Sequence, residues 1–157
     1  MKPIAAEVNI IINGPIERVW KVLLDTSNYK TWNPFVVNAE AEGDAAVPGN
    51  KMKLFVKWRN GKGASSDEII ADTKLPYADS TGVKRAYWSY RFTGLLHTLS
   101  LVHATRYHWL EELTDGSTAY STREEFTGLL KMFIPLADLQ DGFERQTGAL
   151  KREAEKE

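Results

Sequence analysis

Several stretches of the chain alternate apolar and polar side chains with a period of two. The best example runs through Met52, Leu54, Val56 and Trp58, with lysine and arginine at most positions between them. Residues 37–42 repeat the alternation. This pattern is typical of antiparallel strands that pack one face and expose the other to water. Further strands, indicated by β-branched and aromatic residues between turn signals, are predicted at 4–12, 66–73, 83–92, 101–113 and 117–126.

Other segments follow a helical period instead. The first begins after Pro15, which the first turn of a helix tolerates. Its apolar residues share one face: Ile16, Val19, Trp20, Leu23 and Leu24. A second, short helix is predicted through Tyr29, and a long C-terminal helix begins at Leu136. The apolar stripe of the long helix consists of Leu136, Leu139, Phe143 and Leu150. The order of elements indicates an α+β chain with one antiparallel sheet.

The hairpin around Asp115-Gly116 decides which side chains face inward. A two-residue turn at this dipeptide pairs Trp109 with Thr122, Tyr107 with Glu124 and Arg106 with Glu125. The predicted inner face is large and mostly aromatic: Tyr107, Trp109, Glu111, Tyr120, Thr122, Glu124 and Phe126. The predicted outer face is polar: Arg106, His108, Ser121, Arg123 and Glu125. A slip of one residue on either strand exchanges the faces of that strand.

Length and charge exclude several classes of protein. The 157 residues suit a single domain over 1–157, and the formal net charge is −1. The 20 basic residues are scattered among 21 acidic ones, which argues against a nucleic-acid partner. There is no cysteine, which excludes disulfides and thiolate chemistry but leaves the compartment open. No apolar run is long enough to span a membrane and no N-terminal signal pattern is present, so a cytoplasmic protein is expected. Oligomeric state is left open.

Four segments carry a resemblance to a known family: Ile12–Trp20, Tyr29–Phe35 (YKTWNPF), Glu124–Leu130 (EEFTGLL) and Gly148–Glu155. Together they resemble the START-like or Bet v 1-like (SRPBCC) superfamily, in particular its polyketide cyclase/dehydrase and lipid-transport branch. The resemblance covers essentially the whole chain.

The resemblance implies a helix-grip fold. A seven-stranded antiparallel sheet would wrap around the long C-terminal helix, with two short helices after the first strand. Between sheet and helix, such proteins hold a deep cavity for lipids, sterols, plant hormones or polyketides. A minority catalyse cyclisation, dehydration or related steps, and the family has no universal catalytic motif, so fold alone does not define the activity.

Five Trp, six Tyr and six Phe make the chain rich in aromatic rings. The rings expected to line a cavity and contact a flat ligand are Trp58, Trp88, Tyr90, Tyr107, Trp109, Tyr120, Phe126 and Phe143. Thr122 shares the inner face, and Phe133 belongs to an apolar segment before the long helix that is expected to act as a lid. The alternative is that these residues only fill the core.

Two inward residues are candidates for acid–base chemistry. Glu124 lies between aromatic neighbours, where desolvation raises the pKa of a carboxyl group toward the range that suits a general base. The alternative is a solvated Glu124, or one bonded to Tyr107. His103 shares the predicted inner face, although a single inward histidine is more often structural.

Cofactor and metal chemistry find no support in the sequence. The three histidines have no metal-ligand spacing, so no metal site is expected. No phosphate-binding glycine loop, dinucleotide fingerprint or nucleophile elbow is present, and no cofactor is expected. The leading hypothesis is a protein that binds an apolar or aromatic small molecule. The alternative is a cofactor-independent cyclase, dehydratase or aldolase-type enzyme that uses Glu124. A protein-binding module is the least favoured class, because no exposed apolar run is evident.

Overall fold

The computed structural model describes residues 2–156. The strands of this part form one sheet: β1 (Ile4–Ile12), β2 (Val36–Ala41), β3 (Lys51–Lys57), β4 (Gly63–Ala78), β5 (Lys84–Phe92), β6 (His103–Glu112) and β7 (Thr118–Thr127). Its α-helices are α1 (Ile16–Leu24), α2 (Tyr29–Trp32), α3 (Leu95–Thr98) and α4 (Leu136–Ala154). Short 3₁₀ turns at Thr26–Asn28 and Lys131–Phe133 precede α2 and α4. The predicted domain also includes Met1 and Glu157, which lie outside the described residues.

The sheet has the strand order β1-β7-β6-β5-β4-β3-β2, and every neighbouring pair is antiparallel. Because β1 and β2 lie at opposite edges, α1 and α2 must cross from one edge to the other. The long helix α4 packs against β1 and α1. The predicted helix-grip fold, with its seven strands, long C-terminal helix and short helices after β1, is confirmed. Between residues 2 and 156, no helix is both long and apolar enough to cross a membrane.

The helix α1 shows how sequence pattern becomes core. Ile16, Val19 and Leu23 are spaced three or four residues apart, so they fall on one face, and all three are fully buried. Trp20 joins them, while Glu17 on the opposite face forms an ion pair with Lys84 of β5 at 2.6 Å. The apolar face therefore sets the position of α1 against the sheet and α4.

The turn between β6 and β7 differs from the predicted one. Leu113 N–H donates to Ser117 O at 2.8 Å, and Gly116 N–H donates to Leu113 O at 3.0 Å. The loop therefore contains three residues, and Gly116 has φ of 85°. A turn closed by a left-handed glycine is the common three-residue hairpin, and it uses the same Asp-Gly dipeptide as the two-residue form.

This extra loop residue moves β6 by one position relative to β7. His108 pairs with Thr122 and Arg106 with Glu124, so the predicted pairs of Trp109, Tyr107 and Arg106 were wrong. Arg106 and His108 are buried on the inner face. Tyr107, Trp109 and Glu111 belong to the outer face, together with His103. The inward residues of β7 were predicted correctly, because only β6 is shifted.

Candidate ligand-binding cavity

A cavity of about 230 Å³ lies between the inner face of the sheet and α4. Its walls are mainly apolar, formed by side chains such as Phe35, Leu54, Val56, Trp58, Phe126 and Phe143. A smaller group of polar residues also lines it: Ser65, Ser66, Glu68, Tyr90, Arg106 and Glu124. Among the lining residues, Ala64, Ser65, Leu96 and Pro135 are exposed, and they mark the mouth of the cavity. An apolar chamber with a few polar groups is the usual form of a small-molecule site.

Arg106 is the central charge of this cavity. Its side chain is buried, and its Nε donates to Thr122 Oγ1 at 3.0 Å. Its Nη1 donates to Gln146 Oε1 of α4 at 3.2 Å. The guanidinium carbon also lies 3.8 Å from the centre of the Phe143 ring, a cation–π contact. Nη2 has no hydrogen-bond partner among residues 2–156, so one buried donor is available to an oxygen atom of a ligand or water.

Glu124 lies directly opposite Arg106 in the β6–β7 ladder and faces the cavity. Removal of its carboxyl group from water raises the pKa of Glu124 to about 6, although the charge of Arg106 lowers it. Arg106 donates its hydrogen bonds to Thr122 and Gln146 rather than to Glu124. At neutral pH the carboxyl group is therefore mostly ionised, and it accepts no hydrogen bond from the guanidinium.

Glu68 is a second carboxyl group in the same cavity, on β4. It is buried, and Ser66 Oγ donates to its Oε1 at 3.0 Å. Burial raises the pKa of Glu68 well above its ordinary value, and the charge of Glu124 raises it further. Glu68 therefore keeps its proton to a higher pH than an ordinary glutamate. Two carboxyl groups with perturbed pKa values in one site are able to serve as an acid and a base.

His108 and Tyr120 form a buried layer behind Arg106. His108 Nδ1 lies 2.7 Å from the Tyr120 hydroxyl oxygen, and the imidazole stacks on Trp88 with ring centres 5.2 Å apart. Burial lowers the pKa of His108 well below its ordinary value, and the Arg106 charge lowers it further. His108 is therefore neutral at physiological pH and supports the wall of the cavity.

The structure brings five of the sequence-predicted residues together at the cavity: Glu124, Trp58, Tyr90, Phe126 and Phe143. Three others lie in the core around it. Trp88 is buried and donates from Nε1 to Ala45 O at 2.9 Å. Tyr120 contacts His108, and Thr122 holds Arg106.

The remaining predicted residues lie away from the cavity. Tyr107 and Trp109 stack on each other on the outer face, with ring centres 5.3 Å apart, and Trp109 lines an outer groove of about 400 Å³. His103 Nδ1 lies 3.0 Å from Nδ1 of His97. Phe133 is 82% exposed on the 3₁₀ turn before α4. The predicted inward placement of Tyr107, Trp109 and His103 was wrong, because all three follow the shifted register of β6. Phe133 points to solvent instead of covering the cavity.

Sequence reasoning missed Arg106 and Glu68. Arg106 is predicted on the outer face because the opposite face of the ribbon, in the register of a two-residue turn, is large and mostly aromatic. Glu68 was placed in a strand without an assigned face. The signal that identifies it is the spacing Glu68–Ile70, since both residues are buried on one face of β4.

The fold and the enclosed cavity together define a helix-grip protein, and comparisons with known proteins identify its family. Residues 3–155 match the family model described as polyketide cyclase / dehydrase and lipid transport, and the chain belongs to this family. No curated protein matches the chain.

Solved structures of similar fold have low sequence identity to the chain. The Zhui aromatase/cyclase from Streptomyces sp. R1128 is 16% identical, with a TM-score of 0.71 over 98% of this chain and 94% of that one. The di-domain aromatase/cyclase BexL of the BE-7585A biosynthetic pathway is 15% identical, with a TM-score of 0.71 over 99% of this chain and 51% of that one. Major latex-like protein 151 from Panax ginseng is 11% identical, with a TM-score of 0.70 over 98% of this chain and 99% of that one. At these identities the likeness establishes the fold.

Proposed function

We propose that the protein binds an apolar or aromatic small molecule, polyketide-, lipid- or sterol-like, in the cavity between the sheet and α4. The observation that carries this proposal is an apolar chamber with a buried Arg106 and Glu124 in its wall. The apolar body of the ligand packs against Trp58, Phe126 and Phe143. A polar end accepts a hydrogen bond from Arg106.

The size of the cavity limits how the ligand fits. Its volume of about 230 Å³ lies below the roughly 300–1,000 Å³ of most small-molecule sites. A compact ring system fits within it. A longer ligand extends through the mouth, past Leu96 and Pro135, so its buried end is the end that Arg106 and Glu124 select.

An Ala104→Phe variant tests whether the cavity is the binding site. Ala104 is buried on β6 and lines the cavity, so a benzyl side chain there fills ligand space. We expect at least a roughly tenfold loss of affinity, because a filled pocket removes most apolar contact with the ligand. Binding is measured by tryptophan fluorescence and calorimetry with 1-anilinonaphthalene-8-sulfonate, flat aromatic polyketides and fatty acids.

The matched control is Ala119→Phe, which adds the same ring in the outer groove. It should bind the same compounds as the wild type. Equal affinity of the Ala104→Phe variant and the wild type would contradict binding in the cavity, as would a wild-type protein that binds no compound of the panel.

The second candidate is an enzyme of the cyclase, dehydratase or aldolase type. Two carboxyl groups with raised pKa values, Glu124 and Glu68, line the cavity beside Arg106 and support it. The Glu124 carboxylate removes a proton from a carbon next to a carbonyl group, and the electron pair moves to the carbonyl oxygen. Arg106 stabilises that oxyanion. The carbonyl group then re-forms, and the electron pair makes a double bond to the next carbon as the bond from that carbon to its hydroxyl group breaks. The hydroxyl group takes the proton of Glu68 and leaves as water.

Replacement of Glu124 by Gln separates the two candidates. The amide keeps the shape of the carboxyl group but cannot accept the proton, so turnover of any panel compound should fall at least about 100-fold. In the wild type, kcat/KM should rise through about pH 6 as Glu124 loses its proton. Both are measured by product formation followed by chromatography across pH.

Glu125→Gln is the control, because Glu125 lies on the outer face of the same strand and pairs with Arg123. Its turnover should equal that of the wild type. Unchanged turnover in the Glu124→Gln variant would remove Glu124 as the base. If the protein binds compounds of the panel but converts none of them, the enzyme candidate is contradicted and only the binding function remains.

A further inference from the structure

Five large apolar side chains protrude beside the mouth of the cavity. They are Leu95, Leu99, Leu129, Met132 and Phe133, with exposed fractions between 57% and 82%, and we call them the apolar rim. Single exposed apolar residues are ordinary on protein surfaces, but a group of them on neighbouring segments marks an interaction site.

The apolar rim comes from two segments that the backbone fastens together. Leu130 N–H donates to Leu101 O at 2.9 Å, and Leu101 N–H donates to Leu96 O at 2.8 Å. These bonds join the segment after β7 to the segment around α3. Leu96 and Pro135, within the same segments, line the cavity. The apolar rim is therefore continuous with one side of the mouth.

Within the two segments that carry the apolar rim, the only formal charge is positive. Residues 94–101 and 128–135 contain no aspartate or glutamate. Lys131 lies between Leu129 and Phe133, and its Nζ donates to the backbone oxygen of Lys2, which brings a second lysine to the region. A bilayer with anionic lipids has negative headgroups at its surface and acyl chains beneath them. Apolar side chains with lysines beside them complement both layers.

We propose that the apolar rim inserts into the surface of a lipid bilayer containing anionic lipids and places the mouth of the cavity at that surface. Leu129, Met132 and Phe133 enter the boundary between headgroups and acyl chains, and Lys131 contacts anionic headgroups. This docking goes beyond ligand binding and needs no occupant in the cavity. An apolar molecule could then pass between bilayer and cavity without crossing water.

The test is sedimentation with vesicles of phosphatidylcholine, with and without phosphatidylglycerol. The wild type should bind the vesicles that contain phosphatidylglycerol. A Met132→Ser/Phe133→Ser variant should lose at least about tenfold in partition coefficient, given the apolar area it removes. A Lys131→Glu variant should lose the preference for phosphatidylglycerol. Met132 and Phe133 are exposed and Lys131 is partly exposed, and circular dichroism checks that each variant is folded.

The matched control is Leu75→Ser/Tyr77→Ser, which removes exposed apolar side chains from β4, outside the apolar rim. It should bind vesicles like the wild type. The Ala104→Phe variant should also bind vesicles, so failure of ligand binding and failure of docking are distinguishable.

Two results would overturn the proposal. One is vesicle binding that is absent in the wild type, or that is unchanged by the Met132→Ser/Phe133→Ser substitutions. The other is self-association in analytical ultracentrifugation that the same double substitution abolishes while no vesicle binding occurs. That outcome would assign the apolar rim to a second copy of the chain.

Discussion

An Arg106→Met variant is expected to lose about 3–5 kcal/mol of unfolding free energy at about pH 8, as when one partner of a buried charge pair is removed. Methionine keeps most of the apolar stem that packs beside Phe143, so the loss reports the guanidinium group. At this pH, Glu124 is ionised, and Arg106 is the neighbouring charge that favours its ionised form. Urea unfolding followed by tryptophan fluorescence measures the change.

A double-mutant cycle with Glu124→Gln isolates the interaction between the two groups. Hydrogen bonds from Arg106 to Thr122 and Gln146 are lost in both backgrounds, so their contribution cancels. The coupling should be about 1–3 kcal/mol at about pH 8. The pKa of Glu124 is raised to about 6, so near pH 5 the carboxyl group is mostly protonated and the coupling should largely disappear.

The control cycle uses Arg123→Met and Glu125→Gln. These residues form an ion pair at 2.8 Å on the outer face, where both side chains are about one-third exposed. Solvent screens such a pair, so its coupling should be much smaller than that of the buried pair at about pH 8. An Arg106–Glu124 coupling that is the same at both pH values would contradict an ionised Glu124 stabilised by Arg106.

The fold could be predicted from the sequence because its signals are local and repeated. The face of α1 is visible in the spacing of Ile16, Val19 and Leu23, and that of β3 in the alternation through Met52 and Leu54. Each pattern identifies the type of element and the face that it buries. The order of helices and strands then follows from the order of these patterns along the chain. The family-like segments then indicate how those elements are arranged.

The candidate site could be predicted only in part, because its walls depend on one turn. Asp115-Gly116 suits a loop of two or three residues, and nothing within the dipeptide distinguishes them. The polar side chains of Arg106 and His108 favoured the two-residue loop, which places them on the outer face. Arg106 and His108 look like outer residues until their partners are known, and those partners, Gln146 and Tyr120, come from distant parts of the chain.

Arg106, which the sequence pattern misplaces, and Glu68, to which it assigns no face, are also residues with unusual chemistry. Burying Arg106, Glu68 and Glu124 in one apolar chamber opposes the tendency of charges to remain in water. Natural proteins retain such local conflicts mainly where function requires them. The positions that violate the polar-out pattern therefore point to the charged part of the cavity more directly than the aromatic rings, which serve core and cavity alike.

A Gly128→Ala variant should be severely destabilised, because two costs fall on one residue. Gly128 follows β7 with φ of 105°, a conformation that is strained for any residue with a Cβ atom. An added Cβ would also lie 2.4 Å from Leu101 O, a backbone atom that cannot rotate away. We expect a loss of about 3 kcal/mol or more of unfolding free energy, measured by urea unfolding.

Gly116→Ala separates strain from collision, since Gly116 has φ of 85° but a Cβ there meets no atom within 4 Å. It should cost only about 1–2 kcal/mol, the strain alone. The collision at Gly128 must also push the segment after β7 away from Leu101, and this breaks the bond between Leu130 N–H and Leu101 O. Faster hydrogen exchange at the Leu130 amide in the Gly128→Ala variant alone would show that this contact holds the two sides of the apolar rim together. Equal losses of stability for the two variants would contradict it, because the close approach to Leu101 is what distinguishes them.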